Sequence, residues 1–270
     1  MNRDRAIALI GGGQMAMALA DGFCRAKLVD AASIVVSDPL PAARERFAAR
    51  LPEARFDSNA EAAAAADIVI LAVKPQQAAE ACGAIAGALA PTAVLVSIVA
   101  GLSTTALARL SGMDRIIRVM PNTPCLVGRG VSAVCHTAAV PDAALRRVIG
   151  LLAAVGTVHE VDESLLDAVT GVSGSGPGYI AMFVESLAEG GVKAGLPQPL
   201  ALALALETLA GTAALFQDSG EHPAEIRRRV CSPGGTTLAG LAAMEQGGVG
   251  SGIAAGVVAA RDRARELGSR

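Results

Sequence analysis

The residues Gly11-Gly12-Gly13-Gln14-Met15-Ala16 directly follow an apolar run at 6–10 and open a helical segment. This is G-x-G-x-x-A between a strand and a helix, the one context in which the pattern has a physical meaning. Gly11 permits a tight turn, Gly13 lets a pyrophosphate approach the backbone, and the small Ala16 lets helix pack on strand. The helix N-terminus then turns its free N–H groups toward the phosphates. A chain that begins this way is held to a strand–turn–helix unit, and repeats of that unit build parallel sheets.

The unit does repeat. Apolar runs at 6–10, 34–37, 67–73, 93–98 and 116–119 read as strands, and the Ala-rich segments 13–23, 42–50, 60–66, 76–89 and 104–110 read as helices between them. Such alternation predicts an α/β fold with a doubly wound, mostly parallel sheet covered by helices on both faces. Further strands are expected at 131–135 and 157–160, with a helix at 142–153. Beyond Val161 the chain changes to Ala/Leu-rich segments at 164–168, 178–193, 198–216, 224–230, 237–246 and 250–266, broken by Gly/Pro/Ser loops. The expected division is therefore an α/β domain over 1–161 and an all-α domain over 162–270. Gly190, Gly191, Gly211, Gly240 and Gly256 would let the later helices approach closely.

Composition removes several function classes. Hydrophobic residues make up 52% of the chain, but much of that is Ala, and the apolar run 200–206 stops at Glu207, short of the ~20 residues a membrane span needs. Arg3 and Arg5 precede an apolar run of only five residues, too short for the core of a secretion signal, so a cytoplasmic protein is expected. A net charge of −2 gives no electrostatic reason for nucleic acid or an acidic membrane as partner. The five cysteines are odd in number and lack C-x-x-C spacing, which reads as reduced, buried thiols. With one Tyr, five Phe and no Trp there is no platform for stacking bases or sugars. His136, His159 and His222 lie far apart, and no metal-ligand spacing occurs. Cofactor chemistry remains, in which the protein mainly binds and orients.

Four further segments carry polar groups where such chemistry would need them. Asp38 ends the second strand, where a carboxylate can accept the ribose hydroxyls of NAD(H) and would repel the 2′-phosphate of NADP(H) unless Ser37 or Arg44 compensates. A turn-forming Asp before Pro39 explains it equally well. Val73-Lys74-Pro75-Gln76 closes another strand and should border the cleft, since ligands bind at the carboxyl ends of such strands; Lys74 reads equally as a solvated residue. In Arg118-Val119-Met120-Pro121-Asn122-Thr123-Pro124, two prolines fix a rigid turn, and Asn122 can hold a nicotinamide or substrate polar group. A purely structural turn accounts for the prolines too. Ser173-Gly174-Ser175-Gly176-Pro177-Gly178-Tyr179 precedes a long helix and lacks the G-x-S-x-G pattern of a nucleophile elbow.

The last segment, Ser232-Pro233-Gly234-Gly235-Thr236-Thr237, interrupts otherwise helical sequence. Pro and Gly cost about 3 and about 1 kcal/mol relative to Ala inside a helix. What they leave is a loop with free N–H groups, two glycines and three hydroxyls, able to close around a small anion.

Taken together and in this order, the segments 11–16, 73–76, 118–124, 173–179 and 232–237 resemble the pyrroline-5-carboxylate reductases, over nearly the whole chain. The last, with His222-Pro223 upstream, is the most specific. The resemblance implies an N-terminal Rossmann domain and a C-terminal all-α domain that forms a homodimer by interleaving helices, often assembled further into decamers. It implies reduction of the cyclic imine 1-pyrroline-5-carboxylate to L-proline with NADPH, NADH being a possible alternative. The cofactor set would be Gly11, Gly13, Gln14, Met15, Ala16, Ser37, Asp38, Val73, Lys74, Pro75 and Asn122. The substrate set would be Ser175, Ser232, Gly234, Gly235, Thr236 and Thr237, with backbone N–H groups and Ser232 on the carboxylate and Thr237 on the ring nitrogen as the catalytic contact. Gln14 stands where the family usually has Asn, Gly178 where it usually has Ala, and Cys231 replaces a small polar residue. The alternatives are a related reductase of another cyclic imine or a β-hydroxyacid, and a non-catalytic dinucleotide-binding regulator.

Overall fold

A computed structural model describes residues 6–268, so Arg3 and Arg5 lie outside the described residues. Eight strands form one sheet: β1 (Ile7–Ile10), β2 (Ile34–Ser37), β3 (Arg55–Phe56), β4 (Ile68–Leu71), β5 (Val94–Ser97), β6 (Ile116–Met120), β7 (Gly130–His136) and β8 (Gly156–Glu160). Their order is β3-β2-β1-β4-β5-β6-β7-β8. All neighbours are parallel except β6 and β7, which run antiparallel with Arg118 opposite Cys135. The order reverses between β1 and β4, and the crevice at their carboxyl ends is the switch point where doubly wound sheets take ligands.

Period-two alternation assigns the two faces. Ile7 and Leu9 join one core with Leu19 and Phe23, while Ala8 and Ile10 join the other with Leu95 and Leu107. The helices α1 (Gln14–Arg25), α2 (Pro41–Arg50) and α6 (Asp142–Ala153) contribute buried residues to the first core. The second core is covered by α3 (Asn59–Ala64), α4 (Ala78–Ile85) and α5 (Thr104–Ser111). Every residue of β1, β2, β4 and β5 is buried, as strands covered on both faces require. Two elements depart from the sequence expectation. The two-residue β3 is too short to show a period, and the helix expected over 76–89 divides into a tight 3-10 turn at Pro75–Gln77 and α4.

The chain forms two compact units: one runs through Ser175 and takes up the stretch from Ala259, and the other is Gly176–Val258. This division falls elsewhere than the 161/162 boundary read from composition, because packing rather than composition sets it. The short helix α7 (Leu166–Val169) buries Leu166 completely against Ala133 and Cys135 of the sheet.

The second unit consists of α8 (Gly176–Lys193), α9 (Gln198–Ser219), α10 (Pro223–Val230), α11 (Thr236–Gln246) and the first half of α12 (Val249–Gly268). Its buried cluster is Val184, Ala188, Ala201 and Ala205, with Ile226 of α10 the one further buried apolar side chain among the described residues, while Leu200, Leu202, Leu204, Leu206 and Ile253 are exposed. Exposed apolar surface on this scale marks an interaction face. It forms a groove of about 1120 Å³, with Tyr179, Met182, Leu204, Met244 and Ile253 among its walls. The helix expected over 198–216 is α9, which continues past Glu207 for 22 residues in all; the apolar stretch does not stop there as read, since the helix holds a window of mean hydropathy 1.6 and is long and apolar enough by length and composition to cross a membrane.

Candidate active site

The glycine loop is built by backbone contacts. Gly11 has φ +102°, and a Cβ there would lie 2.6 Å from the Ala72 carbonyl oxygen. Its N–H donates to the Ser37 carbonyl at 2.7 Å, and Ala72 N–H donates to Ile10, so the loop is laced to the ends of β2 and β4. Gly13 differs. It occupies the N-cap of α1 with φ −71°, makes no side-chain cap, and has no atom within 4 Å of its Cβ position. The N-terminus of α1 thus lacks a side-chain cap and has open space beside Gly13, as a helix end receiving a phosphate requires. Gln14 is exposed and Met15 half-buried, while Ala16 is fully buried where helix meets sheet. The residues present thus fit a dinucleotide pyrophosphate.

Asp38 does more than the sequence suggested. Its Oδ2 accepts the Gly12 N–H at 2.8 Å and its Oδ1 accepts the Leu40 N–H at 2.8 Å. The carboxylate is a clasp between the glycine loop and the chain entering α2, and Gly12 is a residue of the site that motif reading passed over. Ser37 is buried at the end of β2. Val73, Lys74 and Pro75 follow β4 at its carboxyl end, with Lys74 exposed.

In the second unit, Ser232-Pro233-Gly234-Gly235 is a type II turn. Gly234 has φ +69°, and Gly235 N–H donates to the Ser232 carbonyl at 2.9 Å. Pro at the second position and Gly at the third dictate that geometry. Gly235 is the N-cap of α11, and a Cβ on it would fall 2.2 Å from Ser232 Oγ. Thr236 and Thr237 form the first turn of α11, one residue earlier than expected, and both are exposed. The turn thus presents the Ser232 hydroxyl and the free N–H groups of a helix N-terminus.

Ser175 follows a π-turn at Thr170–Gly174, into which its N–H closes by donating to the Thr170 carbonyl at 2.8 Å. Asn122 is 8% exposed, and both ends of its amide are engaged: Nδ2 donates to the Ser173 carbonyl at 3.1 Å, and Oδ1 accepts the Val131 N–H at 2.8 Å. Nearby, Arg118 pairs with Glu163 at 3.3 Å and Asp167 at 3.5 Å, and Glu163 also accepts the N–H and hydroxyl of Thr104. This network was not legible in the sequence, where Glu163 and Asp167 look like solvated helix residues.

All five cysteines are free, and Cys82, Cys125 and Cys135 are buried. Burial, reinforced by Glu163 and only partly offset by Arg118, pushes the Cys135 thiol up to about 11, so it stays protonated and is no nucleophile. Among the described residues no group of three or more His, Cys, Asp or Glu could hold a metal ion.

A 3-2-1-4-5-6 strand order, a glycine loop opening α1 and an uncapped helix end at the switch point define a Rossmann-type oxidoreductase dependent on NAD(P)H. Residues 6–101 match the family described as NADP oxidoreductase coenzyme F420-dependent, and residues 163–267 match pyrroline-5-carboxylate reductase dimerisation. The chain is 42% identical to the pyrroline-5-carboxylate reductase of Synechocystis sp. over 98% of both chains. Its fold is similar to Plasmodium falciparum pyrroline carboxylate reductase with NADP bound (TM-score 0.90, 31% identity, 99% of this chain and 100% of that one). It is also similar to a pyrroline-5-carboxylate reductase from Coxiella burnetii (TM-score 0.88, 30% identity, 98% and 99%). The chain belongs to the pyrroline-5-carboxylate reductase family.

Proposed function

We propose that this protein reduces 1-pyrroline-5-carboxylate to L-proline with NADPH, and that NADH serves less well. The observation that carries the reading is the near-full-length identity to the Synechocystis reductase, joined to a substrate loop whose turn and glycines are intact. When bound, NADPH supplies a hydride from C4 of its nicotinamide. The chain's own residues do the rest. Gly11, Gly13, Gln14, Met15 and Ala16 present the α1 N-terminus to the pyrophosphate; Ser37 and Asp38 border the adenosine ribose; Val73, Lys74 and Pro75 line the cleft. The N–H groups of Gly234, Gly235, Thr236 and Thr237, with the Ser232 hydroxyl, hold the substrate carboxylate, and the glycines keep side chains clear. Thr237 donates its hydroxyl proton toward the ring nitrogen and orients the C=N carbon, and Ser175 helps seat the ring. Positioning of this kind can supply much of the rate, because hydride transfer needs close, aligned contact. The imine nitrogen takes its proton from water or through Thr237.

The same reading assigns the apolar groove of the second unit to a homodimer formed by the C-terminal helices, with dimers associating into decamers in the cytoplasm. The match of 163–267 to a dimerisation family supports it, as does a buried cluster that is small beside the exposed apolar surface of the same helices. Purified protein should consume NADPH only with pyrroline-5-carboxylate, forming one proline per NADPH. Turnover confined to a six-membered cyclic imine would instead make it the related reductase, and NADPH binding without turnover on either ring would make it a regulator.

A further inference from the structure

Three residues in alternate positions along one stretch of chain make three separate contacts with one segment. Arg118 and Met120 lie two apart on the same face of β6, and Asn122 continues the alternation just past its end. Arg118 pairs with Glu163 and Asp167 at the start of that segment. Met120 fills the notch left by Gly174, where a Cβ would lie 2.6 Å from its Cε. Asn122 donates to the Ser173 carbonyl at 3.1 Å. Between these contacts lies the π-turn Thr170–Gly174, further tied by hydroxyl bonds from Thr170 to the Leu166 carbonyl and from Ser173 to the Val169 carbonyl. Single π-turns in helices are frequent at functional sites, and this one ends on Ser175.

The Asn122 amide is fixed in one orientation. Its oxygen faces the Val131 N–H and its nitrogen faces the Ser173 carbonyl, so reversing it would set donor against donor and acceptor against acceptor. With both ends engaged and 8% exposure, it points into the protein rather than at a ligand. We propose that Asn122 is a positioning residue: with Arg118 and Met120 it fixes the π-turn and thereby places Ser175 for the substrate. It is not a contact to the cofactor. This rests on the reading that Ser175 seats the substrate ring. It joins two motifs, 118–124 and 173–179, into one device.

The test is Asn122→Asp, which keeps size and the acceptor for Val131 but turns a carboxylate oxygen toward the Ser173 carbonyl. KM for pyrroline-5-carboxylate should rise about tenfold, the order expected when a buried hydrogen bond is lost and its acceptor left unpaired. KM for NADPH, and the NADPH dissociation constant read by fluorescence without substrate, should stay within about twofold. Because the effect runs through Ser175, adding Asn122→Asp to Ser175→Ala should worsen KM by no more than about twofold. If Asn122→Asp does not fold, Met120→Ala carries the test, with the same split at about threefold. A rise in NADPH KM with unchanged substrate KM, no change in either, or fully multiplicative effects would overturn the proposal. Failure of the wild-type protein to turn over pyrroline-5-carboxylate would sink the functional reading instead; the variant pattern is then judged on whichever imine it does reduce.

Discussion

Gly11 and Gly13 stand two residues apart in one motif, yet their surroundings predict opposite consequences of adding a methyl group. At Gly11 the added Cβ would meet backbone, 2.6 Å from the Ala72 oxygen and 2.9 Å from its carbon, at φ +102°. The left-handed backbone costs about 1–2 kcal/mol for a residue with a Cβ, and forcing atoms into packed surroundings typically costs about 1–3 kcal/mol. Gly11→Ala should therefore destabilise the sheet unit by about 3 kcal/mol, a fall in melting temperature of about 6–12 °C. At Gly13 there is no atom within 4 Å and φ is −71°, so Ala is tolerated. Losing a favoured N-cap residue and stiffening the unfolded chain nearly cancel, leaving stability within about 1 kcal/mol. The methyl instead enters the space proposed for the pyrophosphate, and NADPH affinity should fall at least about tenfold. Differential scanning fluorimetry and NADPH titration on both variants decide the matter. A stable Gly11→Ala, or a Gly13→Ala that binds NADPH like the wild type, would refute the division into a structural and a functional glycine.

Gly235→Ala places a Cβ 2.2 Å from Ser232 Oγ and should raise KM for pyrroline-5-carboxylate about tenfold while KM for NADPH holds, as measured by initial rates. Arg118→Met leaves the Glu163 and Asp167 carboxylates without their shared partner and should cost about 2–4 kcal/mol in urea unfolding, the partners' partial exposure keeping it at the lower end for a broken buried pair. Cys135 should make stability fall on the alkaline side. Its folded thiol titrates at about 11 and an unfolded one at about 8.5, so between those values the unfolded chain holds fewer protons. Its contribution is fully present below pH ~8.5 and declines by about 1.4 kcal/mol per pH unit above it. Urea midpoints against pH should fall more steeply in wild type than in Cys135→Ala, which keeps the part due to Cys24, Cys82 and Cys125, whose thiols burial also pushes up.

Local chemistry was readable in the sequence, and long-range pairing was not. The helix expected over 142–153 is α6, because Pro141, Asp142 and its apolar spacing all agree. The turn at Ser232–Gly235 was legible for the same reason: Pro and Gly fix their own backbone. The dual role of Asp38 was hidden, because its bond to Gly12 spans 26 residues. The bond from Asn122 to Ser173 spans 51, and no local pattern announces it. The π-turn was likewise invisible, since Thr-Gly-Val-Ser-Gly at 170–174 consists of poor helix formers and reads as a loop. Leu166 shows why the division into units differed: its surroundings are strands, although its neighbours in sequence are helical.

Every residue role assigned above serves direct hydride delivery to the imine carbon of 1-pyrroline-5-carboxylate. That delivery is tested most directly with NADPH carrying deuterium at both C4 positions and mass spectrometry of the product. The product should be L-proline with one deuterium, located at the ring carbon that was the imine carbon, with one labelled NADPH consumed per proline. Unlabelled proline, or consumption of NADPH without proline, would contradict it.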